Sequence, residues 1–234
     1  MKKKLRIILS SIVLIILFGK EVIIATPIPP EIKSVVAFVF IPGKQSGEAI
    51  PYGTAFFVGV KDPKNPERFF VYLVTAKHVL RSPDHKSWLP KIFLRLNTKN
   101  GGSEILEVPV SLSGEHKSVF LHWDEDVDIA VLPALPDQNK FDFKFIPEDM
   151  LTTERDFKNL NIIEGSEIFF TGLFSAYVGA QKNYPIVRFG RVALITDEKI
   201  KFADQHAQLY LIESGSYGGN SGSPVFFYLG LIEP

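Results

Sequence analysis

Residues 214–227 read Ser214-Gly215-Ser216-Tyr217-Gly218-Gly219-Asn220-Ser221-Gly222-Ser223-Pro224-Val225-Phe226-Phe227, four glycines around Ser221 with a β-type apolar run behind Pro224. Glycine reaches backbone conformations closed to other residues, and it lets another main chain come close. A tight turn here can aim the N–H groups of Gly219 and Ser221 at one point. Two convergent N–H donors stabilise the tetrahedral intermediate of acyl transfer. By itself the segment reads equally well as a flexible Gly/Ser loop. A phosphate-cradling loop should open a helix and carry Lys before Ser or Thr, whereas here Pro224 and a strand-like run follow and no Lys is present. A nucleophile elbow needs Gly-x-Ser-x-Gly between strand and helix, but its fifth position is Ser223 here.

Two upstream segments carry complementary groups. In Leu73-Val74-Thr75-Ala76-Lys77-His78-Val79, a β-run meets a small residue and then a His at the start of a helical turn. Such an edge can hold an imidazole rigidly while exposing one nitrogen for acid–base work, although most single histidines are surface or satisfied core residues. In Asp126-Val127-Asp128-Ile129-Ala130-Val131-Leu132, an Asp precedes an apolar strand, so its carboxylate is expected to be partly buried and to need a partner. An imidazole N–H would serve; an ordinary turn Asp is the alternative. Asp124-Glu125-Asp126 could instead bind calcium, but it lacks the spaced oxygen ligands and the Gly turn of a calcium loop.

Together the three segments resemble the trypsin-like, chymotrypsin-fold serine peptidases. The matches are Thr75-Ala76-Lys77-His78, Asp128-Ile129-Ala130-Val131-Leu132 and Gly219-Asn220-Ser221-Gly222-Ser223-Pro224, in the family's order His, Asp, Ser and separated by 50 and 93 residues. Gly53-Thr54-Ala55-Phe56-Phe57-Val58 also resembles the strand before the catalytic His in Cys-free bacterial members, such as glutamyl endopeptidases and periplasmic heat-shock proteases. The resemblance spans residues 35–230. It implies catalytic roles for His78, Asp128 and Ser221 and an oxyanion hole from the N–H groups of Gly219 and Ser221. It also implies a substrate pocket partly set by Gly215, Ser216 and Tyr217, a polypeptide substrate, and no metal or cofactor. None of the three pocket residues is acidic, which argues against a preference for Arg or Lys; Ser216 suits a small or acidic side chain. Family members continue with at least one more strand than Val225–Leu231 offers, so the second barrel is expected to be incomplete. That raises the alternative of a catalytically silent domain of the same fold, acting as a binding or scaffold protein. An unrelated exported β-sandwich that binds ligand or cell-wall material is the third possibility.

The rest of the chain fits an all-β protein. Strands are expected near Val35–Ile41, Gly53–Val60, Phe69–Thr75, Lys91–Asn97, Ile105–Ser111, Val119–Trp123 and Asp128–Leu132. A second set is expected near Glu167–Gly172, Val187–Ile195, Leu209–Glu213 and Pro224–Leu229. Turn signals such as Asn100-Gly101-Gly102 punctuate them. Short helical turns are expected at Ala76–Arg81 and within Pro147–Leu160. The organisation predicted is two antiparallel six-stranded-type barrels: an N-terminal barrel over 35–135 with His78 and Asp128, a connector over 136–150, and a C-terminal barrel over 151–234 with Ser221.

The N-terminus predicts the compartment. Lys2-Lys3-Lys4-Leu5-Arg6 precedes an apolar run from Ile7 to Phe18, as in a secretory signal peptide. Ala25 offers a cleavage point, although Ile23 fits poorly at the third position before it. An uncleaved signal anchor over residues 7–24 is the alternative and the one predicted link to a membrane. Residues 26–34, rich in Pro, read as a linker or short pro-region. Export to the cell surface, periplasm or medium follows.

Composition removes other classes. The 26 Lys and Arg balance 26 Asp and Glu over 234 residues, so no basic surplus points to nucleic acid. There is no Cys, which excludes disulfides, thiolate nucleophiles and Cys-ligated metal sites. No His-Glu-x-x-His motif occurs, and His85, His116, His122 and His206 show no ligand spacing, so a zinc site assembled from them would have to be scattered. Oligomeric state is not legible in the sequence.

Overall fold

The computed structural model describes residues 28–45, 47–202, 205–207 and 209–229. The expected signal segment 1–25 therefore lies outside the described residues. The expected linker 26–34 is not wholly extended: Pro30–Val35 form a 3-10 helix with proline in its first turn. Proline suits that position because its missing N–H would have had no intrahelical partner there.

The strands in chain order are β1 (Val36–Pro42), β2 (Ala49–Asp62), β3 (Asn65–Thr75), β4 (Lys91–Asn97), β5 (Ser103–Pro109), β6 (Phe120–Leu121) and β7 (Ala130–Pro133). They continue as β8 (Ile146–Pro147), β9 (Glu167–Gly172), β10 (Ile186–Leu194), β11 (Ile200–Phe202), β12 (Gln205–Ala207), β13 (Leu211–Ser214) and β14 (Val225–Phe227). The one α-helix among the described residues is α1 (Glu154–Asn159), capped reciprocally by Thr153 and Asp156. No helix among them is long and apolar enough to cross a membrane.

The first sheet runs β5-β4-β1-β2-β3-β7-β6, with β8 added parallel to β2. The second runs β13-β10-β9-β14, and β11 and β12 form a separate hairpin. This is the expected all-β, two-sheet arrangement. Ring closure is the difference: hydrogen bonding ends at β5 and β6 in one sheet and at β13 and β14 in the other among the described residues. The segment expected as a connector supplies β8, because Ile146 packs with Val35 and Val36 in a small apolar cluster beside β2.

Alternation along β1 explains how the sheets meet. Ala37, Val39 and Ile41 face the first core with Phe57, Leu73, Ile92 and Leu132. Phe38 and Phe40 point the other way and pack with Leu173, just after β9. A strand covered on both faces reads as a continuous apolar run, as Val36-Ala37-Phe38-Val39-Phe40-Ile41 does. The second sheet has a smaller core around Ile168, Phe170 and Val192. A polar latch joins the two units. Arg95 on β4 donates to the carbonyls of Gly179 (2.8 Å) and Ala180 (3.0 Å), and Asn183 Nδ2 donates to the Arg95 carbonyl (2.7 Å).

Candidate active site

His78 lies in the 3-10 turn Lys77–Leu80 that follows β3. Its neighbours Val79 and Leu80 are fully buried in the first core, which anchors the turn and leaves the imidazole at the edge. Asp128 lies two residues before β7, the strand that pairs with β3 from Thr75↔Ala130 onward. Pairing of β3 with β7 therefore carries the two residues together across 50 positions of sequence. Asp128 Oδ2 sits 2.5 Å from His78 Nδ1, and Asp128 Oδ1 accepts from the His78 main-chain N–H at 3.0 Å.

Burial alone would raise the Asp128 carboxyl. The hydrogen bond and charge of His78, with main-chain N–H groups of His78 and Lys77, outweigh it and hold the carboxyl below its ordinary value. An ionised carboxylate only accepts, so Nδ1 carries the proton and Nε2 of the neutral ring keeps its lone pair. The Asp128 side chain is 52% exposed, so it is partly buried and partnered, as its position before an apolar strand predicts. The apolar residues responsible for that expectation begin at Ala130; Asp128 and Ile129 are both still in the exposed approach to the strand.

The approach loop is itself tethered. Lys199, between β10 and β11, reaches Asp124 at 3.0 Å and Asp126 at 2.7 Å, and Lys77 Nζ donates to the Asp124 carbonyl at 3.0 Å. The main-chain N–H of Asp126 and the Lys199 ammonium hold Asp124 below its ordinary pKa. The acidic cluster weighed for calcium thus has a cation of the chain as its partner. No group of three or more His, Asp or Glu side chains among the described residues is placed to hold a metal.

Ser221 is positioned through its backbone. Its carbonyl accepts from Thr54 N–H (2.8 Å), and Ser223 N–H closes a turn on the Asn220 carbonyl (2.9 Å). Gly222 has φ +83°, and a Cβ there would stand 2.1 Å from the Thr54 carbonyl oxygen and 2.4 Å from Thr75 Oγ1. Ala76 N, two residues before His78, is also within 3.2 Å of that point. Only glycine fits, and its absent side chain seats the Ser221 turn against the end of β3. Gly219 has φ +99° and lies against Leu173. Its carbonyl accepts from Thr54 Oγ1 (2.8 Å), which in turn accepts from Leu173 N–H (2.9 Å). The N–H groups of Gly219 and Ser221 donate to no other group among the described residues.

Thr54 is thus a linchpin that sequence reasoning quoted only as part of a strand. A small polar residue in the apolar run Gly53–Val58 was the available signal. Asn220 was likewise unassigned; its Oδ1 accepts from Arg188 Nη1 at 2.5 Å and its Nδ2 donates to Ser216 Oγ at 3.2 Å. Gly215, Ser216 and Tyr217 form the exposed stretch after β13, with the Tyr217 ring edge-on to Phe174. Of the unassigned histidines, His85 stands edge-on to His78 at 6.1 Å between centroids, and His122 Nδ1 accepts from the Asp124 N–H.

No family model matches the chain, and no curated protein matches it in sequence. Solved structures do. The apo protease domain of MamO from Magnetospirillum magneticum aligns with a TM-score of 0.52 at 19% identity, over 86% of this chain and 82% of that one. An atomic-resolution structure of HBP aligns at TM-score 0.43 and 10% identity, over 86% and 78%, too distant to add weight. At such identities the likeness is one of fold, and the fold is chymotrypsin-like.

Proposed function

Given a chymotrypsin-like fold, we propose that this chain is an exported serine endopeptidase that works through His78, Asp128 and Ser221. The observation that carries the proposal is the double contact of Asp128 with His78, made beside a Ser221 turn packed onto the residues just before that histidine. Such a contact serves one imidazole in one tautomer.

In this mechanism Ser221 Oγ attacks the scissile carbonyl carbon while His78 Nε2 takes its proton. The N–H groups of Gly219 and Ser221 hold the oxyanion, and Asp128 stabilises the imidazolium. His78 then gives the proton to the leaving amine, whose C–N bond breaks to leave an acyl-Ser221 ester. Water, deprotonated by the same His78, hydrolyses that ester. Export rests on the basic and apolar pattern of residues 2–18.

A silent domain of the same fold is the competitor. Its supporting observation is that Ser221 Oγ and His78 Nε2 share no hydrogen bond among the described residues. In apo sites this bond is often long and tightens only with substrate. A fluorophosphonate probe separates the two: it labels Ser221 in an active chain and spares Ser221→Ala. Absence of labelling and of peptide hydrolysis in the folded protein would remove the peptidase proposal.

A further inference from the structure

Three glycines flank the residue pair at the centre of Gly218-Gly219-Asn220-Ser221-Gly222, so this turn has little conformational restraint of its own. Its carbonyls are gripped from outside. Ser175 N–H donates to the Gly218 carbonyl (3.0 Å), and Ser223 N–H donates to that of Asn220 (2.9 Å). In a trans peptide the N–H points opposite the C=O, so these two bonds aim the N–H groups of Gly219 and Ser221. Asn220 stands between those two donors. Ser221 Oγ is committed to the reaction, so the Asn220 amide is the one side-chain handle left on the turn. Its Nδ2 donates to Ser216 Oγ at 3.2 Å, and its Oδ1 accepts from Arg188 Nη1 at 2.5 Å.

Arg188 is a costly holder. It projects from β10, an inner strand of the second sheet, and is 8% exposed. Among the described residues no carboxylate pairs with it, and its Nη2 is buried with no hydrogen-bond partner. Phe170, Phe174 and Tyr217 surround the guanidinium at 5.8, 5.8 and 5.4 Å from their centroids. Rings attract a cation but leave its N–H groups without acceptors. A buried charge without a counter-charge is unfavourable; burial lowers the Arg188 pKa, yet guanidinium stays protonated. For stability an apolar side chain would serve better here, as Val192 does at the next inward position of β10. What the arginine alone supplies is a donor that reaches Asn220 from a fixed strand. Strand β10 also fixes the start of the same loop, since Gly190 pairs with Ser214 and Ser214 Oγ donates to the Phe189 carbonyl at 2.9 Å. The stretch 215–219 is thus strung between two points on one strand, and Arg188 makes the second.

We infer that Arg188 is a positioning residue: it holds Asn220 so that the N–H groups of Gly219 and Ser221 converge on the reacting oxygen, and it does so at the expense of stability. The inference rests on the peptidase proposal for its effect on turnover, and on the contacts alone for its effect on the turn. Removing the charge should therefore move stability and activity in opposite directions. In Arg188→Met a thioether fills the space between the three rings, a contact that sulfur favours. Replacing a buried charge by a hydrophobe of similar volume is often neutral or stabilising. Asn220 is only half-buried, so its freed Oδ1 turns to water rather than being stranded.

The test compares the parent chain with Arg188→Met, Arg188→Lys, Asn220→Leu and the Arg188→Met/Asn220→Leu double variant. The readouts are urea unfolding, amide hydrogen exchange of residues 215–223, and quenched-peptide hydrolysis with kcat and KM measured separately. Arg188→Met is expected to unfold at or above the parent's urea midpoint and to exchange faster in 215–223. Its kcat should fall ~10²-fold with KM little changed, the loss that a misplacement of about 1 Å produces. Arg188→Lys, which keeps the charge and a donor, should recover part of that loss. The double variant should be no slower than Asn220→Leu, because the two residues act through one contact. A lowered midpoint with exchange and kcat unchanged would make Arg188 a stabilising residue and overturn the inference, and so would additive losses in the double variant. Failure of Arg188→Met to fold would overturn the expense in stability; unchanged exchange and kcat in Asn220→Leu would then overturn the positioning as well. If the parent neither labels with fluorophosphonate nor cleaves peptide, the peptidase proposal falls and exchange alone decides. Faster exchange in Arg188→Met then keeps Arg188 as the residue that orders the turn, and equal exchange removes it.

Discussion

Replacing Gly222 with alanine isolates the contact that seats the Ser221 turn. Two costs add at this position. An L-residue held at φ +83° is disfavoured by ~1–2 kcal/mol. The new methyl would also stand 2.1 Å from a carbonyl oxygen and 2.4 Å from a hydroxyl, and overpacking of this kind costs ~1–3 kcal/mol. The expected loss is about 2–5 kcal/mol. Gly101→Ala is the matched control: its φ is +90°, but nothing stands within 4 Å of the added Cβ. It should lose only the backbone term, ~1–2 kcal/mol. The benefit of restricting the unfolded chain is common to both and cancels. Urea unfolding of the two variants measures the difference, and the fluorophosphonate labelling rate of each reports the turn itself. Gly222→Ala should label far more slowly than Gly101→Ala. Equal stability losses together with equal labelling rates would refute the claim that the turn rests on β3 through Gly222.

Other positions give sharper single outcomes. Thr54→Val keeps the shape but leaves the Gly219 carbonyl and Leu173 N–H unpaired, so about 1–3 kcal/mol should disappear in urea unfolding, with recovery in Thr54→Ser. Arg95→Ala strips the donors from carbonyls of residues 178–180 and should cost about 3 kcal/mol, read from the denaturation midpoint at constant m. Asp128→Asn inverts the tautomer preference of His78 and should lower kcat by ~10⁴ with the fold intact by circular dichroism. Because the folded Asp128 pKa is depressed, its stabilisation is present above the unfolded value of ~3.9 and lost as pH falls through the folded value. Acid unfolding followed from pH 5 downward should therefore show a smaller pH slope in Asp128→Asn than in the parent chain.

The fold was legible where local pattern and burial agree. Lys91–Asn97 and Glu167–Gly172 match β4 and β9 residue for residue, because each is an apolar, β-type run with turn residues or proline at its ends. Ile146–Pro147 was missed: two residues carry no period, and only the edge of β2 makes them a strand. The hairpin of β11 and β12 was missed for the same reason of length. Lys201 and His206 face each other across a pair of three-residue strands with too little alternation to register.

At the site, the chain by itself determined which chemistry-bearing residues are present and in what order, because His78, Asp128 and the glycine-framed Ser221 are covalent facts set in short segments with local turn preferences. It could not determine that Thr54 ties together Gly219 and Leu173, or that Arg188 is buried without a counter-charge beneath Asn220. Those contacts span 32 to 165 residues, and nothing local distinguishes a threonine or arginine in a strand that meets a loop from one that meets water. For Thr54 the packing of the second sheet against β2 decides it, and for Arg188 the folding of the Ser221 turn back onto β10 does.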